Sequence, residues 1–237
     1  MNKILILIII LISNISFSQE IVEIISKNDT LNKNKDDYFG YLFQETNLEQ
    51  AKLVAKVRGK GKLSRFTEVF NKMKKATSKI GANSFFVENY NKIDSETFEI
   101  VLATYFCTDE LFESNFKNVP KNFIYVFGNE NFEQDKQQSF KVNGEKQVIS
   151  SGKYKKFEVK VGEELKINKG GFAGMTLWIT GKEDKGSTFL SFTGLGLMGG
   201  GYNPVNGGMG IAINTGRINR IEPNFGLLLL KIFDEQK

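Results

Sequence analysis

The side chains that most often carry catalysis are scarce in this chain. It contains no histidine and a single cysteine, Cys107. The missing histidine excludes Ser-His-Asp and Cys-His catalysis, histidine-ligated zinc or copper, and a histidine proton switch. One cysteine excludes thiolate metal clusters, dithiol redox chemistry and an internal disulfide. Carboxylate, lysine, tyrosine, serine and backbone chemistry remain, and no metal or cofactor is predicted.

Two short motifs have the spacing of functional sites but lack their context. Ser-x-x-Lys occurs at Ser114–Lys117 and Ser150–Lys153 without the further motifs of the serine enzymes that use it. Residues 194–199 match the dinucleotide fingerprint G-x-G-x-x-G, which requires a following helix for the pyrophosphate. Glycines, Asn203 and Pro204 follow instead, so dinucleotide binding is not expected. Residues 194–210 are interpreted as a flexible loop or as a loop at the edge of a ligand site, carrying Tyr202 and Met209.

The carboxylates and aromatic residues give only weak evidence of a functional site. The acidic pairs lie in predicted turns and lack calcium-loop spacing. A carboxylate pair assembled across strands, as in a glycosidase, would not be visible in the sequence. The one tryptophan, Trp178, and the 21 phenylalanines are interpreted as core residues rather than as a sugar-binding platform.

Basic residues are concentrated in one stretch. Residues 51–81 hold ten lysines and arginines opposed only by Glu68, a local charge of +9. The stretch is either an ordinary solvated face or an electrostatic site for an anionic partner. The candidate contact residues are Lys60, Lys62, Arg65, Lys72, Lys75 and Lys79.

A helix and three strands are predicted to position this basic stretch. Apolar residues recur at three- and four-residue steps from Leu63 to Ile80, which predicts an amphipathic helix with Ser64 as its N-cap and Gly81 at its end. Strands are predicted at residues 51–57, 85–87 and 98–107, with Gly59 and Gly61 in a turn before the helix. The order strand, helix, strand, strand indicates a small α+β domain, followed by a short helix or a linker at 108–119.

One stretch of this domain resembles known envelope proteins. The segment KKATSKIGANSFFV is similar to a signature of the YbjQ-like family and of the outer-membrane lipoprotein that senses stress in the Rcs system. The matching residues are Ala76, Ile80, Gly81, Ala82, Asn83, Phe85 and Phe86. The lipidated and paired cysteines of the Rcs sensor are absent, so the resemblance implies only the fold, a small α+β domain.

Short strands separated by glycine turns dominate the second half. This spacing predicts an antiparallel sandwich or barrel, and no helix is expected there. The predicted strands are 123–127, 139–142, 154–161, 165–168, 175–180, 188–193, 211–214 and 227–233. The early part of this half resembles DUF2846-type β-sandwich domains. The resemblance rests on Tyr125, Val142-Asn143-Gly144 and Gly152-Lys153-Tyr154, and it implies no catalytic residue.

The N-terminus indicates export. Lys3 precedes nine apolar residues, Ile4 to Ile12, and small residues follow at Ser16 and Ser18, as in a signal peptide. Nine residues fall short of the roughly 20 that span a bilayer, and no later stretch is long enough. The predicted organisation is a signal peptide at 1–18, an α+β domain at 19–119 and an antiparallel β-sandwich at 120–237.

These features favour a non-enzymatic, periplasmic or secreted protein of the bacterial envelope. Its expected partner is an anionic lipid headgroup, lipopolysaccharide or an acidic protein, whereas export makes nucleic acid an unsuitable target. A carboxylate-dependent hydrolase in the second half and an assembly subunit that pairs through strand edges are the alternatives.

Overall fold

A computed structural model describes residues 20–28, 38–130, 136–170, 174–193, 202–203, 208–209 and 218–237. The predicted signal peptide, the glycine fingerprint at 194–199 and the predicted strand at 211–214 lie outside these residues. Over the described chain the fold is α+β, with three α-helices and strands arranged in three large sheets. Within that part, no helix is both long and apolar enough to cross a membrane.

The helices are α1 (Phe66–Ser78), preceded by a 3-10 turn at Leu63–Arg65, α2 (Asp109–Phe116) and α3 (Pro223–Ile232). The strands are β1 (Ile21–Lys27), β2 (Gly40–Tyr41), β3 (Lys52–Lys62), β4 (Ser84–Lys92), β5 (Thr97–Phe106), β6 (Phe123–Phe127), β7 (Gln138–Val142), β8 (Glu145–Ile149), β9 (Lys153–Glu158), β10 (Glu164–Lys169), β11 (Met175–Thr180), β12 (Thr188–Ser191), β13 (Tyr202–Asn203), β14 (Gly208–Met209), β15 (Asn219–Arg220) and β16 (Asp234–Glu235).

The first sheet has the strand order β1-β3-β5-β4-β2, and α1 packs on one of its faces. The predicted order strand, helix, strand, strand is confirmed. The predicted turn at Gly59 and Gly61 is wrong, because β3 continues through both and pairs with β5 up to Lys62. A Cβ at Gly59 would lie 2.4 Å from the Met73 sulfur. The glycines therefore let α1 approach the strand closely.

Helix α1 buries the apolar residues that its periodicity predicts, among them Phe66, Val69, Phe70 and Met73. The proposed N-cap is wrong, since Ser64 lies inside the 3-10 turn and no side chain caps α1. The end of the helix is as predicted, because Gly81 adopts the left-handed φ of 102° that favours glycine.

Asn83, two residues after Gly81, fixes the chain that leaves the helix. Its side-chain amide donates to the Cys107 carbonyl and its carbonyl accepts from the Cys107 N–H, both at 2.8 Å. This pair of bonds aligns the start of β4 with the end of β5. Ala82 is fully buried, which accounts physically for a small residue between the glycine and the asparagine.

The second sheet has the order β15-β12-β6-β9-β16 and the third has the order β11-β10-β7-β8. They pack face to face around a core that includes Ile124, Val126, Phe140 and Ile167. The third sheet is antiparallel, as predicted. The second is mixed, because β12 runs parallel to β6 and β16 runs parallel to β9.

Residues 227–233 were predicted as a strand, and this prediction is wrong: Pro223 to Ile232 form helix α3. Glu222 caps the helix by accepting from the Phe225 N–H at 2.8 Å, and Pro223 occupies the first turn. The helix is apolar around most of its circumference, which hides the helical period. Such a helix must be buried on several sides.

Helix α3 joins the first and second sheets in one core. The Phe225 ring lies 5.2 Å from the Phe70 ring of α1, measured between centroids. On the other side, Gly226 lies against Phe189 of β12. One apolar cluster therefore contains residues from both halves of the chain. The proposed domain boundary at residues 119 and 120 stays a prediction.

Most other predicted strands are confirmed to within a few residues, and the glycine turns at Gly144, Gly152, Gly162 and Gly170 all have positive φ. Five strands of the second half were missed. These are β8, β13, β14, β15 and β16, which have few apolar residues or only two residues each.

Candidate anion-binding surfaces

The predicted basic site is divided between two sides of the first sheet. Successive side chains of a strand point to opposite faces, and Val57, Gly59 and Gly61 of β3 face α1. Lys60 and Lys62 therefore lie on the face turned away from the helix. The other four residues, Arg65, Lys72, Lys75 and Lys79, lie on or beside α1. The six candidates do not form one surface.

Acidic residues from distant parts of the chain neutralise much of this charge. The carboxylate of Glu20, whose side chain is only 3% exposed, binds Arg65 Nε at 2.6 Å and also Lys72. Arg65 makes a second ion pair with Glu68. These contacts bring Arg65 and Lys72 together around the carboxylate of Glu20, which belongs to the chain itself and takes the place of an external anion.

The basic side chains of β3 are compensated in the same way. Lys56 pairs with Glu88 at 2.6 Å, and Arg58 pairs with Glu23 at 2.7 Å. Lys62 lies 3.9 Å from Glu96. Of the six candidates, Lys60, Lys75 and Lys79 make no ion pair with any described residue, and they are spread over both sides of the sheet.

Tyr202 and Met209, the candidate ligand-loop residues, are register partners in the two-stranded hairpin formed by β13 and β14. The rest of that loop, residues 204–207 and the flanking glycine-rich segments, lies outside the described residues. Their role in binding stays a prediction.

A second basic surface, which the sequence did not reveal, lies on the outer face of the third sheet. Leu165 and Ile167 of β10 and Ile179 of β11 point into the sandwich core. Alternation along the strands then turns their neighbours outward. The outward residues that define this surface, called the Trp178 face below, are Lys141, Lys146, Lys166, Asn168, Thr176 and Trp178.

Trp178 is not the core residue that the sequence suggested. Its side chain is 55% exposed, whereas Ile179 beside it is 4% exposed. Because Leu177, Trp178 and Ile179 are all apolar, the sequence does not show which of them point inward and which point outward. Because the tryptophan occupies an outward position, it presents its indole to solvent.

The register of the third sheet places these side chains next to one another. Lys166 lies directly opposite Trp178, with its Nζ 5.6 Å from the ring centroid, within the range of a cation–π contact. Asn168 lies between Thr176 and Lys141, and its amide donates to the Thr176 hydroxyl at 2.9 Å. Lys141 in turn lies opposite Lys146. The face therefore runs across all four strands without interruption.

The positive charge of this face is compensated only in part by the described residues. Lys141, Lys146 and Lys166 form no ion pair with a carboxylate of the described chain. Glu164 lies on the same face, opposite Thr180, so three lysines against one glutamate leave +2. Like charges on neighbouring strands repel one another. An anion bound between them would relieve this repulsion.

Other candidate chemistry is limited in the part of the chain that the structure describes. No group of histidine, cysteine, aspartate or glutamate side chains there could hold a metal ion. A small pocket between β6 and β11 has a volume of about 10 Å³, room for about one water molecule and far below the roughly 300–1,000 Å³ of typical ligand pockets. Burial raises the pKa of the Cys107 thiol to about 11, so this thiol is weakly nucleophilic at neutral pH.

Comparisons with protein-family models, with curated proteins and with solved structures find no match to this chain. The two resemblances noted in the sequence therefore stay predictions.

Proposed function

We propose that this protein is an exported, non-enzymatic binding protein of the bacterial envelope, and that it binds an anionic partner through the Trp178 face. The observation that carries the proposal is the set of three lysines without acidic partners among the described residues, on three adjacent strands beside an exposed tryptophan. Export rests on the sequence of residues 1–18.

The pairing of charges favours this face over the basic stretch of the first domain. A lysine already held by a carboxylate must give up that contact before it can bind an external anion. Arg65 and Lys72 would have to release Glu20, which is buried. Lys141 and Lys146 have no such contact in the described structure and are free to neutralise a partner.

Binding through exposed lysines is expected to depend on salt. The Debye length is about 10 Å at 0.1 M ionic strength, so exposed charges interact weakly with a partner at higher salt. Each exposed ion pair contributes about 0.5 kcal/mol, so three contribute ~1.5 kcal/mol, equivalent to about tenfold in affinity.

The test compares two variants that lose the same charge. In the first, Lys141, Lys146 and Lys166 are changed to glutamine; in the second, Lys60, Lys75 and Lys79 are changed to glutamine. Affinity for fluorescein-labelled dextran sulfate is measured by anisotropy at low and high salt. We expect the first variant to lose about tenfold and the second to bind almost like the wild type. Equal losses, or a larger loss in the second variant, would contradict the proposal.

A second candidate function, assembly with another copy of this chain, is supported by β1. This strand forms an edge of the first sheet, and Ile21, Ile24 and Ile25 on it are each more than 40% exposed. An exposed apolar edge favours pairing with another strand. Antiparallel pairing of two copies centred on Ile25, where β1 has a register shift against β3, would place Glu23, which also pairs with Arg58, opposite Lys27 of the second copy.

The size of the protein in solution tests this second function. We expect a dimer by sedimentation at micromolar concentration, and we expect the change Ile25→Lys to abolish it by placing two like charges at the two-fold axis. Ile93→Lys, at another isoleucine that is 50% exposed, serves as the control. A monomeric wild type, or a dimer that persists in Ile25→Lys, would exclude assembly through β1.

A further inference from the structure

Trp178 is the feature of the Trp178 face that charge alone does not explain. It is the only tryptophan of the chain, and it is 55% exposed on β11, an edge strand of the third sheet. Lysines alone would attract any anion. A large aromatic ring beside them adds a selective surface, because its face carries partial negative charge and favours partners with polarised C–H groups.

We propose that the anionic partner is an acidic polysaccharide, a chain of sugar rings that carry carboxylate groups. This inference rests on the proposed function of the same face. The C–H side of one sugar ring would stack on the Trp178 indole. Carboxylates of the following rings would meet Lys166, Lys141 and Lys146 on the neighbouring strands.

The spacing of the strands suits an extended chain that crosses the sheet. Neighbouring strands lie about 4.8 Å apart, so three intervals place β8 roughly 14 Å from β11. The aromatic ring is on β11, and one lysine lies on each of the other three strands. Trp178 and Lys166 form one cross-strand row, and Lys141 and Lys146 lie in the next row, two residues along the strands. A single phosphate or carboxylate group would reach only one end of this diagonal path. A linear polymer with repeated charges can use all of it.

Polar groups in the middle of the face suit the hydroxyl groups of a sugar. The Thr176 hydroxyl accepts a hydrogen bond from Asn168 and keeps its own proton to donate. These side chains lie between the ring of Trp178 and the charge of Lys141. Lysine side chains are flexible point charges, so they can follow carboxylates whose orientation varies along a chain, which the rigid fork of arginine cannot do as easily.

The experiment uses the tryptophan as its own reporter. Because the chain holds a single tryptophan, its fluorescence reports on this face alone. The full-length mature protein is titrated with oligogalacturonate and, separately, with poly-L-glutamate at the same carboxylate concentration. Both polymers carry carboxylates, but only the first has sugar rings. We expect oligogalacturonate to shift the emission to shorter wavelength and to protect the ring from iodide quenching, and poly-L-glutamate to do neither.

Two variants separate stacking from charge, with affinities measured by calorimetry. Trp178→Ala keeps every lysine, and we expect it to lose about tenfold in affinity for oligogalacturonate while leaving poly-L-glutamate binding unchanged. Phe106→Ala removes a 42% exposed aromatic side chain on the first sheet and is the matched control, expected to bind like the wild type. Unchanged thermal unfolding of both variants shows that they are folded.

The outcomes distinguish this inference from the proposed function. If poly-L-glutamate binds as tightly as oligogalacturonate, or if Trp178→Ala binds oligogalacturonate like the wild type, the polysaccharide assignment is wrong and the proposed anion-binding function of the Trp178 face is retained. If neither polymer binds at low salt, both proposals fail. Loss of oligogalacturonate binding in Trp178→Ala, with poly-L-glutamate unaffected, supports both.

Discussion

Changing Gly226 to alanine tests whether α3 is seated between the sheets as a helix. Gly226 lies in the interior of α3, directly against β12. A Cβ added there would lie 2.3 Å from Cγ and 2.6 Å from Cδ1 of Phe189. Carbon atoms in contact prefer separations of about 3.5–4.0 Å. The ring or the helix would have to move by roughly 1 Å.

The surroundings of Phe189 oppose this movement. Its ring is stacked on the Tyr125 ring with centroids 5.3 Å apart, and the Phe127 ring follows at 6.4 Å. Overpacking of such a site costs about 1–3 kcal/mol. Alanine at a helix-interior position gains about 1 kcal/mol over glycine. Because the clash is severe, we expect a net loss of about 2 kcal/mol, or about 4–8 °C in Tm for a chain of this size.

Thermal unfolding followed by circular dichroism measures this loss. Gly186→Ala is the control, since its Cβ would have no neighbour closer than 3.9 Å, and we expect its Tm to stay within about 2 °C of the wild type. Truncating the opposing side chain with Phe189→Ala removes Cγ and Cδ1, so it should reduce the effect of Gly226→Ala in the double variant. A Tm of Gly226→Ala at or above that of the wild type would refute the packing of α3 on Phe189, because the helix propensity of alanine would then act alone.

Two further predictions concern buried titratable groups. Burial raises the pKa of Cys107 to about 11, so we expect a disulfide reagent at pH 8 to modify the native thiol more than about 100-fold more slowly than the unfolded one, and equal rates would contradict its burial. Burial also raises the pKa of Glu130, which accepts a hydrogen bond from Thr67 at 2.9 Å. The charged form is therefore unfavourable in the folded protein above that pKa, and the penalty disappears as pH falls below the unfolded value of about 4.3. We expect Glu130→Gln to raise Tm at pH 7 and to leave it unchanged below about pH 4, and a lower Tm at pH 7 would contradict this.

Elements whose signals are local could be predicted well. Helix α1 has a strong apolar period and a glycine end, and both act within one or two turns of chain. The strands from β6 to β12 are short alternating runs between glycines, so most of their limits could be placed within a few residues. Gly59 and Gly61 were misassigned because the sequence does not distinguish a glycine that ends a strand from a glycine that lets a helix pack closely on a strand.

The type of candidate site could be predicted from the sequence, but its position could not. The sequence indicated lysines and an anionic partner but selected the densest run of charge, residues 51–81. Glu20, Glu23, Glu88 and Glu96 approach that run from distant positions, and no local pattern shows this. The lysines of the Trp178 face are spaced far apart along the chain and become neighbours only through strand pairing.

The sequence by itself determined which chemistry the chain lacks, since residue counts do not depend on folding: without histidine and with one cysteine, several kinds of catalytic and metal site are excluded. It also determined α1 and most turns, because backbone preferences and short periodicities act locally. Tertiary structure alone decided that residues 223–232 form a helix, which charges are neutralised, and that Trp178 faces outward. Each of these depends on what lies on the other side of a sheet or helix, and that is set by contacts between residues remote in sequence.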